Sequence, residues 1–590
     1  MSVRYLAVTW TRQKGIYDRV LGVGVVVAVG AFTGGTFAWH PDATLETALI
    51  RGIGFAGFLL LNLILSIGPL CRLDRRFLPL LYNRRHLGVT LGVLGLAHAV
   101  FAVVQYHSLG NVSPLVSLLS SNRDWTSLAD FPFEMFGLLA LLILVVMAAT
   151  SHDYWLSVLT PPVWKRLHML VYVAYLALIF HVSLGFLQDQ PSLVYTGFLG
   201  ASVLLIGCLH VAAAIKERPG DQAGADSVEW VDVGAANQVP EGRAIVRVVA
   251  GERVAVFCNQ GRLSAVSNVC KHQNGPLGEG RIIDGCITCP WHGYQYQPTN
   301  GTSPPPFHDS VPTFNLAVVA GRVLVDPTPN PPGTEVAPVP IEGPRVADNL
   351  PFYVGYQPEA PLQLGHFMQR TAASLLIGTT LIALGLAKAQ TGFAKSRFDF
   401  GTPSVIEGVV RATPYPSVAV IQPGSTQVRR YLLSAAGKHG AQAAVAGLSG
   451  RRVRITGPLA YRDELTLLEI AATTPIDSAV APGERPVELG TFELAGEVLD
   501  SKCYAGAMNP GTGKTHRACA ARCLSGGIAP LLEVRGIDGK AQDVILLDST
   551  GNPLPGVDRW AGKRVSLRGR VFRLDNLWFV RIGGMVESAR

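Results

Sequence analysis

"RRHLGVTLGVLGLAH" (residues 84–98) sets two arginines ahead of an apolar run that has a histidine, His86 and His98, near each end. Continued through Val104, the run approaches the roughly 20 residues that cross a bilayer as a helix. A histidine inside such a helix is expensive and marks function by default. Comparable runs stand on both sides: "VLGVGVVVAVGAF" (20–32), "GFAGFLLLNLILSIG" (54–68), "FGLLALLILVVMAA" (136–149), "VYVAYLALIFHVSLGF" (171–186) and "GFLGASVLLIGCLHVAAA" (197–214). Residues 1–218 therefore read as a six-helix membrane bundle. A cleaved signal peptide would leave a single such run, not a series.

Lysine and arginine orient the bundle. Arg4, Arg12, Lys14, Arg19, Arg72, Arg75, Arg76, Arg84, Arg85, Lys165, Arg166, Lys216 and Arg218 fall on one side; Arg51 and Arg123 fall on the other. The rich side is expected in the cytoplasm and the chain in the inner, plasma membrane. The formal charge of +8 is then largely topology. Membrane lipid is the expected partner and nucleic acid is not.

Four histidines sit at matched depths. His86 and His98 lie on the third span, and His168 and His181 on the fifth. The expectation is two b haems, held by His86 with His168 and by His98 with His181. Spacings of twelve and thirteen residues turn an ideal helix by about 120° and 220° net, so a tilt or kink is required for both pairs to face inward.

Beyond residue 218 the composition becomes ordinary. Short alternating runs over 228–327 predict a small all-β domain. Within it, Cys270-x-His272 is followed after sixteen residues by Cys289-x-x-His292, in "NVCKHQNGPLGEG" and "CPWHGYQYQ". Two Cys/His loops can hold a [2Fe–2S] cluster with two thiolates on one iron and two imidazoles on the other. Zinc is the competing reading of Cys and His at such spacing.

The double motif resembles a Rieske domain, in which "GPL" (275–277), "TNG" (299–301) and "SPPPF" (303–307) also recur. That resemblance implies Cys270, His272, Cys289 and His292 as cluster ligands. Neither loop has the additional cysteine of quinol-oxidising relatives, so the ferredoxin type is implied, with a potential near the low end of the range, roughly −150 mV. Oxygenases of this kind add an iron on two histidines and a carboxylate. His308, His366, His439 and His516, the histidines after His292, have no such spacing. The pieces "RRHLG…H" and "WKRLHMLVY…H" resemble the ferric reductase-like transmembrane family, which implies haem at the four histidines above.

Residues 328–365 are proline-rich and read as a semi-rigid linker. "TAASLLIGTTLIALGLA" (371–387) predicts a seventh span over 366–390, which would put the remainder outside the cell. There "GRRVRITGPLAYRDELTLLEI" (450–470) aligns without gaps on "GKRVSLRGRVFRLDNLWFVRI" (562–582). Two OB-like β-barrels are expected, over 398–475 and 490–590. The second contains an insertion with Cys503, His516, Cys519 and Cys523, the last three at i, i+3 and i+7. Metal ligation and a disulfide both fit that pattern. "GTGKT" (511–515) lacks the earlier glycine of a phosphate loop, since Met508 stands there.

The fold class is thus a multidomain membrane protein: an α-helical bundle, an all-β Rieske domain and tandem β-barrels. The function expected is electron transfer from a cytoplasmic donor protein or reductase, through the [2Fe–2S] cluster and two b haems, to an extracytoplasmic acceptor. The alternatives are a quinol-linked oxidoreductase subunit, with quinone as partner, and a membrane-tethered ferredoxin or scaffold without haem.

Overall fold

The computed structural model describes residues 12–81, 84–151, 155, 159, 161–222, 230–271, 275–290, 293–305, 307–342, 362–421, 427–477, 486–537 and 540–587. Every apolar run of the sequence is helical: α1 (Arg12–Trp39), α2 (Leu45–Leu73), α3 (Arg84–Ala102), α4 (Glu134–Ala149), α5 (Pro161–Met169) with α6 (Val171–Leu184), α7 (Leu193–Gln222) and α8 (Leu362–Lys388). Among the described residues, six helices are long and apolar enough to span a membrane, and α4, at 16 residues, is a shorter apolar helix. α2 is the most enclosed, with 61% of its apolar window buried. The others keep lipid-type side chains outward, such as Val26, Val93 and Leu204.

Small residues bring the helices together, as expected where lipid removes the hydrophobic drive and close packing must hold the bundle. A Cβ on Gly92 of α3 would stand 2.8 Å from the Ala148 Cβ of α4. One on Gly35 of α1 would stand 3.0 Å from the Ala387 Cβ of α8, so α8 lies along α1 as part of the bundle. The fifth span is interrupted at Leu170, between α5 and α6. That break lies between His168 and His181.

The middle β domain contains two small sheets and a three-stranded unit. The larger sheet runs Val339–Pro340, Arg262–Ser267, Glu252–Asn259 and Ala244–Val249; the smaller runs Val231–Ala235, Arg322–Val325 and Leu316–Val319. Val231, Val254, Val256, Leu263, Phe314 and Val325 form their common core. The third unit pairs Arg281–Ile283, Cys286–Thr288 and Gln295–Tyr296. Its first hairpin turns on Asp284 and Gly285, both with φ positive (52° and 78°), as a two-residue turn requires.

This domain sits at the end of the bundle where α3 begins. A cavity of about 1450 Å³ lies between them, lined by His86, Trp164 and His168 on the helix side and by Asn268, Gly278 and Glu279 on the β side. Gln363, Leu364 and Phe367 at the start of α8 line it too. The domain is therefore entered from α7 and left toward α8 at the same end of the bundle.

The other end carries the barrels. Strands Val487–Asp500, Pro530–Ile537, Lys540–Leu547, Leu577–Glu587 and Arg564–Leu574 close a barrel in that order, with Lys540–Leu547 and Leu577–Glu587 parallel. The preceding repeat, expected as a barrel, is an eight-stranded sheet of corresponding strand order, because two of its strands are broken, into Arg452–Gly457 with Leu459–Arg462 and Leu465–Glu469 with Ala472–Asp477. Pro458 falls at the first break, where the later copy has Arg570; proline has no N–H for the ladder. Arg430, fully buried, ties the barrels together through Asp575 at 2.9 Å.

The 501–529 insertion seats the second barrel on the bundle. The "GTGKT" turn binds a carboxylate of its own chain: Lys514 N and Thr515 N donate to the two Asp189 oxygens, each at 2.7 Å. A Cβ on Gly513, whose φ is +85°, would meet the same carboxylate at 2.6 Å. Asn509 Nδ2 donates to Asp42 O at 2.8 Å and to Ala394 O at 2.7 Å, which fixes the α1–α2 turn and the exit from α8 to the same seat.

Candidate functional site

His98 and His181 face each other between α3 and α6, with ring centroids 6.4 Å apart and planes at 86°. Two imidazoles on one metal, with bonds of about 2 Å and about 1.1 Å from nitrogen to ring centre, would stand about 6 Å apart. Two glycines make the space. A Cβ on Gly54 would lie 3.1 Å from the His98 ring, and one on Gly137 would lie 2.7 Å from His181 Nδ1.

Each ring is held by its Nδ1, which faces Ile50 O at 3.0 Å for His98 and Phe133 O at 3.1 Å for His181. The deeper pair follows the same rule: His86 Nδ1 faces Asp18 Oδ1 at 2.6 Å and His168 Nδ1 faces Trp164 O at 3.0 Å. Anchoring one nitrogen fixes the ring and presents Nε2 as the coordinating atom. His168 Nε2 is buried without a hydrogen-bond partner, and Trp164 stacks on the ring at 3.9 Å. His86 and His168 line the same cavity. His210 is different: its Nε2 meets the Tyr172 hydroxyl at 2.9 Å, as in an ordinary packing histidine. The four residues present thus fit a haem-binding role.

Cys270 and Cys289 are both 1% exposed and share one core with Leu277, Ile287, Tyr294 and Tyr296. Their loops are closed by Cys270 N donating to Gly275 O and Cys289 N donating to Tyr294 O, each at 2.9 Å. His272 and His292 lie outside the described residues. Two enclosed sulfurs on facing loops suit a cluster better than a solvent-exposed metal. Tyr296 is the residue that the motif alone did not single out. Its hydroxyl accepts from Lys271 N at 2.8 Å and lies 3.4 Å from Cys270 Sγ. If Cys270 is a cluster thiolate, which can only accept, the hydroxyl would donate to it. The signal in the sequence was a tyrosine two residues from Tyr294 in a strand of the ligand loop.

Glu279, facing the cavity, has its pKa pushed up to about 7 by burial, with Arg84 and Arg253 acting in the opposite direction.

Two family models match: the ferric reductase-like transmembrane component over residues 53–179, and the Rieske [2Fe–2S] domain over 229–315. The ferredoxin component of the alkene monooxygenase system of Xanthobacter autotrophicus is 34% identical over 119 residues, 20% of this chain and 90% of the relative. The haem-binding subunit of protein-methionine-sulfoxide reductase from Caulobacter vibrioides is 30% identical over 169 residues, 28% of this chain and 75% of that subunit. The chain is a ferric reductase-like membrane protein with a Rieske domain. The ferredoxin of carbazole 1,9a-dioxygenase from Nocardioides aromaticivorans is 25% identical over 17% of this chain and 98% of its own, with a TM-score of 0.16.

The Rieske domain implies a [2Fe–2S] cluster and the ferric reductase-like bundle implies haem b. Together they make this a multi-pass membrane protein of electron transfer. A first expected outcome concerns Tyr296. Hydrogen bonds to cluster sulfurs favour the reduced, more negative state. Removing one in Tyr296→Phe costs that state about 1 kcal/mol, which is about 40 mV for one electron. Redox titration followed by EPR should find the midpoint lower by that amount; an unchanged or raised midpoint would refute the donor role.

Proposed function

We propose that this protein carries electrons between the two faces of a membrane, with Cys270, His272, Cys289 and His292 holding the cluster at one end and two haem-b sites, His86 with His168 and His98 with His181, through the bundle. The groups supply one-electron carriers; the chain's own residues fix where they sit. The observation that carries the reading is the common anchoring of four intramembrane histidines by Nδ1, with two of the rings 6.4 Å apart across a glycine-made gap.

The excess of Lys and Arg at the end bearing the Rieske domain supports a cytoplasmic place for that domain. The barrels, at the opposite end, are then extracytoplasmic. The donor is a cytoplasmic reductase or redox protein and the acceptor is met outside. Residues 1–218, 228–327, 328–365, 366–390, 398–475 and 490–590 serve as bundle, Rieske domain, linker, seventh span and the two barrels.

Absorbance and low-temperature EPR of the detergent-purified protein test this. Air-oxidised and dithionite-reduced samples should give b-haem bands together with an anisotropic mixed-ligand cluster signal. A cluster signal without haem bands would reduce the protein to a tethered ferredoxin. The cavity of about 1450 Å³ beside His86 and His168 favours a second reading, in which quinol binds there and reduces the cluster. Inhibitor-sensitive quinol oxidation and a cluster potential well above zero would select it.

A further inference from the structure

The 501–529 insertion buries three thiols, an imidazole and a carboxylate in one place. Cys503, Cys519 and Cys523 are 6%, 2% and 1% exposed, His516 is 1% and Asp500 is 0%. Cys503, His516 and Cys519 bring one donor atom each within 4.8 Å of one another, and so do Asp500, Cys503 and Cys523. Their elements are the end of strand Val487–Asp500, the turn Cys503–Ala507 and the helix α9 (Arg517–Ser525), which His516 precedes. Met508, Ile528 and Tyr106 close over the sulfurs.

Such a group is costly to bury without a function for its polar atoms. Asp500 Oδ1 accepts from Cys503 N at 2.9 Å. Asp500 Oδ2 and His516 Nε2 have no hydrogen-bond partner, although they stand 3.3 Å apart. The Cys503 and Cys519 sulfurs are 3.8 Å apart. Two thiolates on one tetrahedral ion, with bonds of about 2.3 Å, stand about 3.8 Å apart. A disulfide needs about 2.05 Å.

We propose that Cys503, Cys519, Cys523 and His516 bind one tetrahedral divalent metal ion of the zinc class, with Asp500 set against the imidazole. Four protein ligands, all buried, describe a structural site rather than a catalytic one. Borderline-soft tetrahedral donors select Zn²⁺ over Mg²⁺ or Ca²⁺. Binding displaces the thiol protons to solvent and involves no redox change. The ion would join the end of the barrel strand, the turn and α9 into one unit beside Tyr106, where α3 leaves the bundle. The proposal is independent of the haem reading, because its ligands are shared with no other group.

Elemental analysis of the full-length protein in detergent should find one zinc-class ion per chain in addition to the iron of the cluster and haem. Cys519→Ser should lose that ion selectively while haem and cluster spectra persist. Should that variant fail to fold, wild-type protein produced with Co²⁺ provides the second measurement, through a thiolate-to-cobalt charge-transfer band. Absence of both the additional ion and the cobalt band overturns the site. So does a disulfide between any two of the three cysteines, found by alkylation and mass spectrometry of the unreduced protein.

Discussion

His181→Ala is expected to remove about half of the b-haem absorbance while the cluster EPR signal persists unchanged. His181 is held by Phe133 O at 3.1 Å and opposes His98 at 6.4 Å between centroids. If His98 and His181 hold a haem as proposed, alanine would remove one of the two imidazoles and His98 alone would not retain the group. His98→Ala should have the same effect, and the double variant should be no worse than either if both residues hold one group as proposed. Gly137→Leu should reproduce the loss without touching a ligand, since even a Cβ there would come within 2.7 Å of His181 Nδ1. His210→Ala is the control, because its Nε2 is engaged by Tyr172. Full retention of haem in His181→Ala, judged by pyridine haemochrome content, would refute the assignment.

The second large effect is expected at the seat of the second barrel. Arg517 and Asp130 form an ion pair there, with side chains 4% and 7% exposed. Asp130 belongs to the loop before α4, and Arg517 opens α9. Asp130→Ala leaves a buried guanidinium with the carbonyl oxygens of residue 130 and Gly562 beside it, both at 3.4 Å. Breaking one side of a buried pair costs about 3–5 kcal/mol. Thermal unfolding in detergent should show a destabilisation of that order. Asp130→Leu combined with Arg517→Met should recover most of it, because two apolar groups leave no charge unmatched. Asp124→Ala, which breaks the more exposed contact with Lys563 at 3.0 Å, should cost about 1 kcal/mol or less. Equal losses at Asp124 and Asp130 would refute the argument from burial.

Much of this architecture was legible in the chain because lipid restricts the choices. Each apolar run became a helix, and the repeat offset between Gly450 and Gly562 became two β units of corresponding strand order, the second of them a closed barrel. Cys270 and Cys289 are enclosed on paired loops, as their spacing implied; the histidines of that motif lie outside the described residues. Three features required coordinates. The break at Leu170 is a small local departure within a uniformly apolar run, and hydropathy cannot register it. Tyr296 is chemically ordinary until its hydroxyl is found beside Cys270. Asp189, the ligand of the "GTGKT" turn, lies more than three hundred residues away in sequence, beyond the reach of a local pattern.

The middle domain leaves one helix and rejoins another at the same end of the bundle, with only residues 223–230 between α7 and its first strand. Eight residues extend by at most about 29 Å. A head leashed so briefly cannot shuttle between distant stations, in the manner of a carrier on a long stalk. If the proposed route holds, turnover in the membrane should depend on the concentration of a diffusible reductant rather than on any swing of the head itself.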